Sequence, residues 1–199
     1  MRKLTLLAPV FALLFSCHFA AAQQGDIMFF GGTLMSSSPS STALASGNIA
    51  EKGGTYLGVS GDIVGFKRRL GFNIETSWRA SQASYLGYQT YRPILTDFNA
   101  LFQPKLGKKV GLDLFGGIGI ASTRFYFPYA TSCSFTCINY TTSDHFLEDF
   151  GGGIRYYAWH HFFVRPEVHY YHIQNNTDVF STDNVFRVGG SIGYTIGND

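Results

Sequence analysis

Regular alternation of apolar and polar residues is the feature of this sequence that most restricts its fold. In the segment VRPEVHYY, residues 164–171, the even-numbered positions are apolar or amphipathic, and the odd-numbered positions carry Arg165, Glu167, His169 and Tyr171. Successive side chains of a β-strand point to opposite faces, so a period of two predicts a strand with two unlike faces. The same alternation recurs in LGFNIETSWRA and in FRVGGSIGYTIG.

Eight segments carry this pattern and are predicted to be strands. They are residues 26–36, 54–64, 70–80, 94–103, 110–126, 146–158, 162–173 and 185–196, of which the first alternates least well. The turns GFKRR, PKLGKK and WHH are short, whereas the other connections are long and polar. Strands of about ten residues joined by alternately short and long loops are the signature of a transmembrane β-barrel. The predicted fold is therefore all-β, an eight-stranded antiparallel up-and-down barrel that crosses a membrane.

Alternation does not say which face of the barrel points inward, because a soluble lipocalin-like barrel also alternates. Three features favour the membrane: strands long enough to cross a bilayer at a tilt, balanced charges on the presumed inner face, and aromatic residues near strand ends, where interfacial girdles lie. These aromatic residues are Trp78, Phe102, Phe125, Tyr126, Phe127, Trp159, Phe162 and Tyr194. We expect the apolar face to contact lipid, with a secreted soluble β-protein as the alternative.

The first 22 residues have the features of a secretory signal peptide. Arg2 and Lys3 precede an apolar stretch too short to span a bilayer, and three alanines end at position 22. Cleavage there leaves residues 23–199 as one barrel domain. The remaining thirteen basic and thirteen acidic residues balance, which argues against a nucleic-acid partner. A lipoprotein signal ending at Cys17 is the less favoured alternative.

The last two predicted strands suggest a family. VRPEVHYY and FRVGGSIGYTIG resemble the closing strands of bacterial outer-membrane β-barrel proteins of the OmpA/OmpX type. The resemblance implies a location in the outer membrane of a Gram-negative bacterium, among its lipids and lipopolysaccharide, and insertion by the barrel-assembly machinery. Barrels of this type usually end on an aromatic residue, whereas this chain continues past Tyr194 to end in Gly-Asn-Asp.

Eleven titratable residues lie on the face that is predicted to line the lumen. They are Asp62, Glu75, Arg79, Asp97, Asp113, Asp149, Arg155, Arg165, Glu167, His169 and Arg187. The interior of an eight-stranded barrel is just wide enough for its side chains. We therefore interpret this set as a salt-bridged plug rather than as a path for protons or ions.

Strand register predicts how the lumen residues are arranged. A tight WHH turn would place Glu167 opposite or diagonal to Arg155. On the last strand, the inward glycines 189 and 193 would leave room for Arg165 and His169.

Arg124 and Glu148 have lipid-facing parity at the outer ends of the fifth and sixth predicted strands. An ion pair across the two strands is the favoured interpretation. The alternative is that Arg124 contacts the phosphate groups of lipopolysaccharide.

Cys133 and Cys137 lie in the third long loop and are the cysteines that remain after removal of the signal peptide. In an exported protein they predict a disulfide bond, with free thiols as an alternative. A zinc site would need two further ligands that are not evident. The sequence contains no glycine-rich phosphate loop, HExxH motif or CxxC array, so we expect neither a metal ion nor a cofactor.

The segment HIQN, residues 172–175, resembles the His-x-Ser-Asn stretch of outer-membrane lipid A deacylases. Gln174 stands at the serine position, and a glutamine cannot act as the nucleophile. We therefore expect no enzymatic activity. The expected function is structural or adhesive and exercised through the long extracellular loops. A narrow pore is the main alternative, and a lipid A-modifying enzyme is a weaker one.

Overall fold

Strands make up almost all of the part of the chain that the computed structural model describes, which is residues 24–37, 49–51, 53–66, 69–87, 89–127, 132–133 and 137–197. The strands are β1 (Gln24–Ser36), β2 (Thr55–Phe66), β3 (Leu70–Arg79), β4 (Ala83–Tyr85), β5 (Gln89–Phe102), β6 (Val110–Tyr126), β7 (Ser132–Cys133), β8 (Cys137–Ile138), β9 (Tyr140–Trp159), β10 (Phe162–Ile173) and β11 (Asn184–Ile196). A 3-10 turn covers Asn176–Asp178. Within the described ranges, no helix is long and apolar enough to cross a bilayer. The predicted signal peptide lies outside these ranges.

The eight long strands form a closed antiparallel barrel in the order β1-β2-β3-β5-β6-β9-β10-β11, and β11 pairs with β1. Each of these eight strands pairs with the long strands before and after it along the chain. The short β4 pairs only with β5, and β7 and β8 form a separate hairpin. Closure leaves no strand edge facing lipid, where unpaired backbone groups would each cost several kcal/mol. The predicted eight-stranded up-and-down barrel is confirmed.

On each long strand the polar face is buried in the lumen and the apolar face is exposed on the outside of the barrel. On β10, Arg165 and His169 are buried, whereas Val164 and Val168 are 40% and 46% exposed. Large apolar side chains such as Phe29 are exposed on the outer face of every long strand. An apolar outer belt around a polar interior reverses the arrangement of a soluble barrel. The prediction that the apolar face points outward and the charged face lines the lumen is confirmed.

A cluster of exposed aromatic residues lies at the short-turn end of the barrel. Trp159, Phe162 and Tyr194 are exposed, and the Phe162 ring packs against the other two, with centroids 6.3 and 4.9 Å away. Phe125, in contrast, was wrongly assigned to the girdle. It is buried at the long-loop end, where its ring stacks on Tyr91, because its position in β6 has inward parity.

Two strands extend further than their hydrophobic pattern indicates. β5 begins at Gln89 and β9 at Tyr140, in each case before the predicted start. β9 contains 20 residues and β6 contains 17, whereas a tilted strand needs about 9–11 residues to cross a bilayer. β6 and β9 therefore continue beyond the membrane on the long-loop side, and the first residues of β5 pair with β6 there. We call this extension of β5, β6 and β9 the ribbon. The β9 part of the ribbon is polar on both faces, so alternation of hydrophobicity could not reveal it.

The ladder between β6 and β9 shows that the predicted pair between Arg124 and Glu148 is wrong. Arg124 lies opposite Thr142, and Glu148 lies opposite Ile118, six positions before Arg124 on β6. The prediction assumed a loop centred near residue 136, but the ladder is centred near residue 133, because Tyr126 pairs with Tyr140.

The hairpin of β7 and β8 places the backbones of Cys133 and Cys137 opposite each other. Their side chains lie outside the described part of the structure. The disulfide bond between them stays a prediction.

Candidate functional site

Arg155 on β9 holds three aspartates near the short-turn end of the lumen. Its guanidinium bonds to Asp26 on β1 and lies 2.9 Å from Oδ2 of Asp62 on β2 and 2.9 Å from Oδ2 of Asp113 on β6. The four side chains are buried. Because β1 and β2 lie across the barrel from β9, this one arginine ties opposite walls of the lumen together.

Arg165 on β10 connects this group to the next level of the lumen. Its Nη1 atom lies 3.3 Å from Asp62 Oδ2 and 3.2 Å from Asp113 Oδ2, and its Nε donates to Glu167 Oε2 at 2.6 Å. The other oxygen of Glu167 accepts from Ser191 Oγ at 3.1 Å. Arg165 therefore shares the aspartates of Arg155 and binds a carboxylate of its own.

A second group of charges lies closer to the long-loop end. Arg187 on β11 bonds to Glu75 on β3, and its Nη2 atom is 3.6 Å from Glu167 Oε1. His169 Nδ1 is 2.9 Å from Asp149 Oδ2. The Asn99 amide donates to Asp149 Oδ2 at 2.9 Å and to Asp97 Oδ1 at 2.6 Å. Ion pairs and amide hydrogen bonds thus continue through the middle of the barrel.

Ten of the eleven residues predicted to line the lumen are at most 4% exposed and belong to these groups. They are Asp62, Glu75, Asp97, Asp113, Asp149, Arg155, Arg165, Glu167, His169 and Arg187. Arg79 is the exception, because it is half-buried at the mouth, against Gly54. Sequence reasoning missed Asp26, because the predicted first strand began at that residue and alternated poorly. The observed β1 begins at Gln24 and alternates over most of its length.

Glu167 has the predicted strand register, but it does not form an ion pair with Arg155 in the described structure. Glu167 lies opposite Gly153, which places Arg155 on the diagonal. The ion pairs of Glu167 are nevertheless with Arg165 and Arg187. Arg155 instead binds Asp113 on its other neighbour, β6, and Asp26 and Asp62 across the lumen.

The glycines that make room for Arg165 and His169 are not the predicted ones. A Cβ atom on Gly153 would lie 2.9 Å from Arg165 Cγ, and one on Gly151 would lie 2.8 Å from His169 Nδ1. Both glycines belong to β9, whereas the prediction named glycines 189 and 193 of β11.

The two glycines of β11 accommodate other side chains. A Cβ on Gly189 would lie 2.6 Å from Phe30 Cε2, and one on Gly193 would lie 2.7 Å from Phe163 Cε2. The prediction was wrong because β10 has a neighbour on each side, and Arg165 and His169 lean towards β9 whereas Phe163 leans towards β11.

Apolar side chains fill the lumen on the long-loop side of the charges. This apolar layer consists of Phe30, Leu34, Tyr56, Leu95, Ala121, Leu147, Tyr171, Ile173 and Val185. A loop cap lies above it, built from Ile49, Ala83, Tyr85, Tyr91, Phe125, Val179 and Phe180. Ile49 pairs with Phe180, and Tyr85 donates to the Val179 carbonyl at 2.6 Å. Segments of three long loops are therefore packed together over the mouth.

The short-turn end of the lumen is open, in contrast to the mouth. A cavity of about 360 Å³ lies there. Its lining includes Gln24, Gln103, Arg155, Tyr157 and Thr195 from the strands and Lys105, Lys108, Lys109 and His160 from the turns. Water can therefore approach the Arg155 group from this side, while the apolar layer closes the other.

Glu51, in the connection between β1 and β2, is buried in the loop cap. Asn176 Nδ2 donates to its Oε2 at 3.4 Å. Burial raises the pKa of Glu51 to about 7, and the hydrogen bond from Asn176 and the charge of Arg79 offset this only in part. The folded cap thus favours the protonated carboxyl.

We expect the loop cap to open more readily as the pH rises from about 5 to about 8. Between the unfolded pKa and the raised folded pKa, the closed cap retains a proton that the open state has released, so closure loses free energy with rising pH. The protection factor of the Ser181 amide, which donates to the Ile49 carbonyl at 2.9 Å, measures this opening, because it compares exchange with that of an unstructured amide at the same pH. Glu51→Gln should remove the pH dependence, and Asp178→Asn, on the same cap, should retain it. An unchanged pH profile in Glu51→Gln would contradict the assignment.

No protein-family model matches this chain, and no curated protein matches its sequence. Solved structures do share its fold. Ail, the attachment invasion locus protein of Yersinia pestis, is 13% identical, with a TM-score of 0.55 over 88% of this chain and 99% of Ail. Neisserial surface protein A is 10% identical, with a TM-score of 0.60 over 86% and 95%. A major outer membrane protein from Thermus thermophilus is 11% identical, with a TM-score of 0.51 over 86% and 99%. The chain has the fold of the bacterial eight-stranded outer-membrane β-barrels.

Proposed function

We propose that this protein is a non-catalytic component of the outer membrane of a Gram-negative bacterium, whose sealed barrel holds long loops at the cell surface for contact with lipids or with a surface partner. The observation that carries the proposal is the closure of the lumen. Buried ion pairs, an apolar layer and a loop cap follow one another towards the outside. This arrangement disfavours a pore. It leaves the loops and the outer ends of the strands as the region that can bind a partner.

The ribbon of β5, β6 and β9 supports a role in surface contact, because it extends beyond the membrane and contributes Tyr91 and Phe125 to the loop cap. Ail has been crystallised in complex with the heparin analogue sucrose octasulfate. By analogy with that complex, we propose that this protein also binds a ligand. The closed lumen of this barrel favours a binding site on the loops and the ribbon.

Arg92 and Arg124 support a contact with lipopolysaccharide. They lie directly opposite each other on the outer face of β5 and β6, near the long-loop end. Like charges in such a pair are destabilising, and a phosphate group between them would relieve the repulsion. Arg92 Nε is buried without a hydrogen-bond partner in the described structure, and the Arg124 guanidinium lies 5.0 Å from the centre of the Tyr140 ring.

The proposal of a non-catalytic barrel rests on the residues of the HIQN segment. His172 is on the outer face of β10, where its Nδ1 is 2.9 Å from Asn184 Oδ1. Gln174 is exposed and holds no group that could attack a carbonyl. Removal of the signal peptide and insertion by the barrel-assembly machinery complete the proposal.

Purified protein in a planar lipid bilayer should show no steady conductance, although its interior is polar. The physical reason is that the apolar layer leaves no continuous water path, and a porin in the same bilayer is the control.

Fractionation should recover the protein in the outer membrane, with a gel mobility in detergent that changes only after boiling. Discrete, ion-selective openings would contradict the sealed barrel, and recovery in the soluble periplasmic fraction would contradict the location.

A further inference from the structure

His169 presents a free imidazole nitrogen to the middle of the lumen. Its Nδ1 is bound to Asp149, while Nε2 is buried and has no hydrogen-bond partner in the described structure. A carboxylate that accepts the Nδ1 proton fixes the tautomer with the lone pair on Nε2, as is usual for metal-binding histidines. Asn99 fixes this carboxylate in turn, and the ring of His169 stacks on Phe115 at 5.1 Å. The orientation of the imidazole is thus set by its neighbours.

Two carboxylates converge with this histidine. Glu75, Glu167 and His169 each have a possible ligand atom within 4.8 Å of those of the other two. Arg187 binds one oxygen of Glu75, and the other, Oε2, is buried without a partner in the described structure. Donors bound to one ion at ~2.1 Å lie at most ~4.2 Å apart. The three side chains therefore fit a metal ion after a small inward movement.

The charge balance of the lumen favours a bound cation. Seven carboxylates are buried on the described strands, against three arginines. The carboxylates are Asp26, Asp62, Glu75, Asp97, Asp113, Asp149 and Glu167, and the arginines are Arg155, Arg165 and Arg187. Buried charges without compensation are costly. A divalent cation would offset part of this negative excess where Glu75 and Glu167 approach each other.

We propose that the lumen binds a divalent transition-metal ion through Glu75, Glu167 and Nε2 of His169, with Asp149 as the residue that orients the histidine. One imidazole nitrogen and two carboxylates suit zinc, manganese or cobalt better than calcium or magnesium, which prefer oxygen ligands alone. Arg187 keeps its bond to Glu75 Oε1, and Arg165 keeps its bond to Glu167 Oε2. The ion would then bind Glu75 Oε2 and Glu167 Oε1, the oxygen that accepts from Ser191. The ion would join β3 to β10 across the lumen.

The test is to refold the protein in detergent with zinc, manganese or cobalt, remove unbound metal by gel filtration, and measure the bound metal by mass spectrometry. The variants are His169→Gln and Asp149→Asn, and the matched control is His172→Gln, which removes a histidine on the outer face. Because the site is buried, the metal is supplied during refolding. Heat-modifiable gel mobility shows that each variant has folded.

We expect the native protein and the His172→Gln control to retain about one ion per chain, and His169→Gln to retain none at this site. Asp149→Asn should weaken binding by roughly 10- to 100-fold, the usual effect of losing a carboxylate that orients a ligand. The cobalt-loaded native protein should show an absorption spectrum that His169→Gln lacks. If His169→Gln does not fold, Glu75→Gln replaces it as the variant without a ligand. Equal metal content in the native protein and in the folded ligand variant would overturn the proposal.

Discussion

Replacing Arg155 by glutamine is expected to lower the free energy of unfolding of the barrel by about 3–5 kcal/mol, the usual cost of removing one partner from a buried ion pair. The reason is that the buried Asp26, Asp62 and Asp113 would have only Arg165 to balance their charges. Urea unfolding in detergent micelles, followed by the boiled and unboiled gel mobilities, measures the change.

Arg69→Gln is the matched control for this variant, because it makes the same chemical change at an exposed position beside the turn between β2 and β3. It should alter stability by less than about 0.5 kcal/mol, as is usual for surface substitutions. Adding Asp113→Asn to Arg155→Gln should recover part of the loss, since it removes one of the unpaired charges. Equal stabilities of Arg155→Gln and Arg69→Gln would show that the buried ion pairs do not hold the barrel together.

Glu167→Gln is expected to cost several kcal/mol as well, because it leaves Arg165 without its shortest ion pair and Arg187 without a second carboxylate. A double-mutant cycle identifies the true partner. The coupling energy between positions 167 and 165 should be about 1–3 kcal/mol, as is found for residues in contact. The coupling between positions 167 and 155 should be smaller, because Arg155 makes no ion pair with Glu167 in the described structure.

Unfolding of the four chains in each cycle, under the same detergent conditions, yields both coupling energies. Equal couplings, or a larger one with Arg155, would place the ion pair on the diagonal of the ladder rather than along β10. That result would contradict the geometry of the lumen while leaving the barrel unaffected.

Most of the fold is predictable from the sequence, because alternate residues of each strand in a membrane barrel face lipid and lumen and therefore differ in polarity. LGFNIETSWRA is readable as β3 to within one residue for this reason. The regular change between short and long loops then determines the strand number and the up-and-down order. The alternation in VRPEVHYY and FRVGGSIGYTIG likewise identifies the lumen faces of β10 and β11 without any knowledge of contacts.

The same signal disappears where a strand leaves the membrane. The first residues of β9, Tyr140 to His145, are polar on both faces, so only their pairing with β6 defines them as a strand. Glu51 and Asn176 lie far apart in connecting loops, and no periodicity brings them together. Their contact exists because three loops fold over one mouth.

The sequence by itself determined which residues face the lumen, since that depends only on the parity of each position along its strand. The partners within the lumen were decided by the tertiary structure. Arg155 meets Asp26 and Asp62 because closure and stagger bring β1 and β2 across from β9, and both quantities are properties of the whole barrel. Glu75 approaches His169 for the same reason. The proposed metal site combines residues of β3 and β10, so it corresponds to no motif along the chain. Parity is a local property of the backbone, whereas contact across a lumen depends on how all eight strands close.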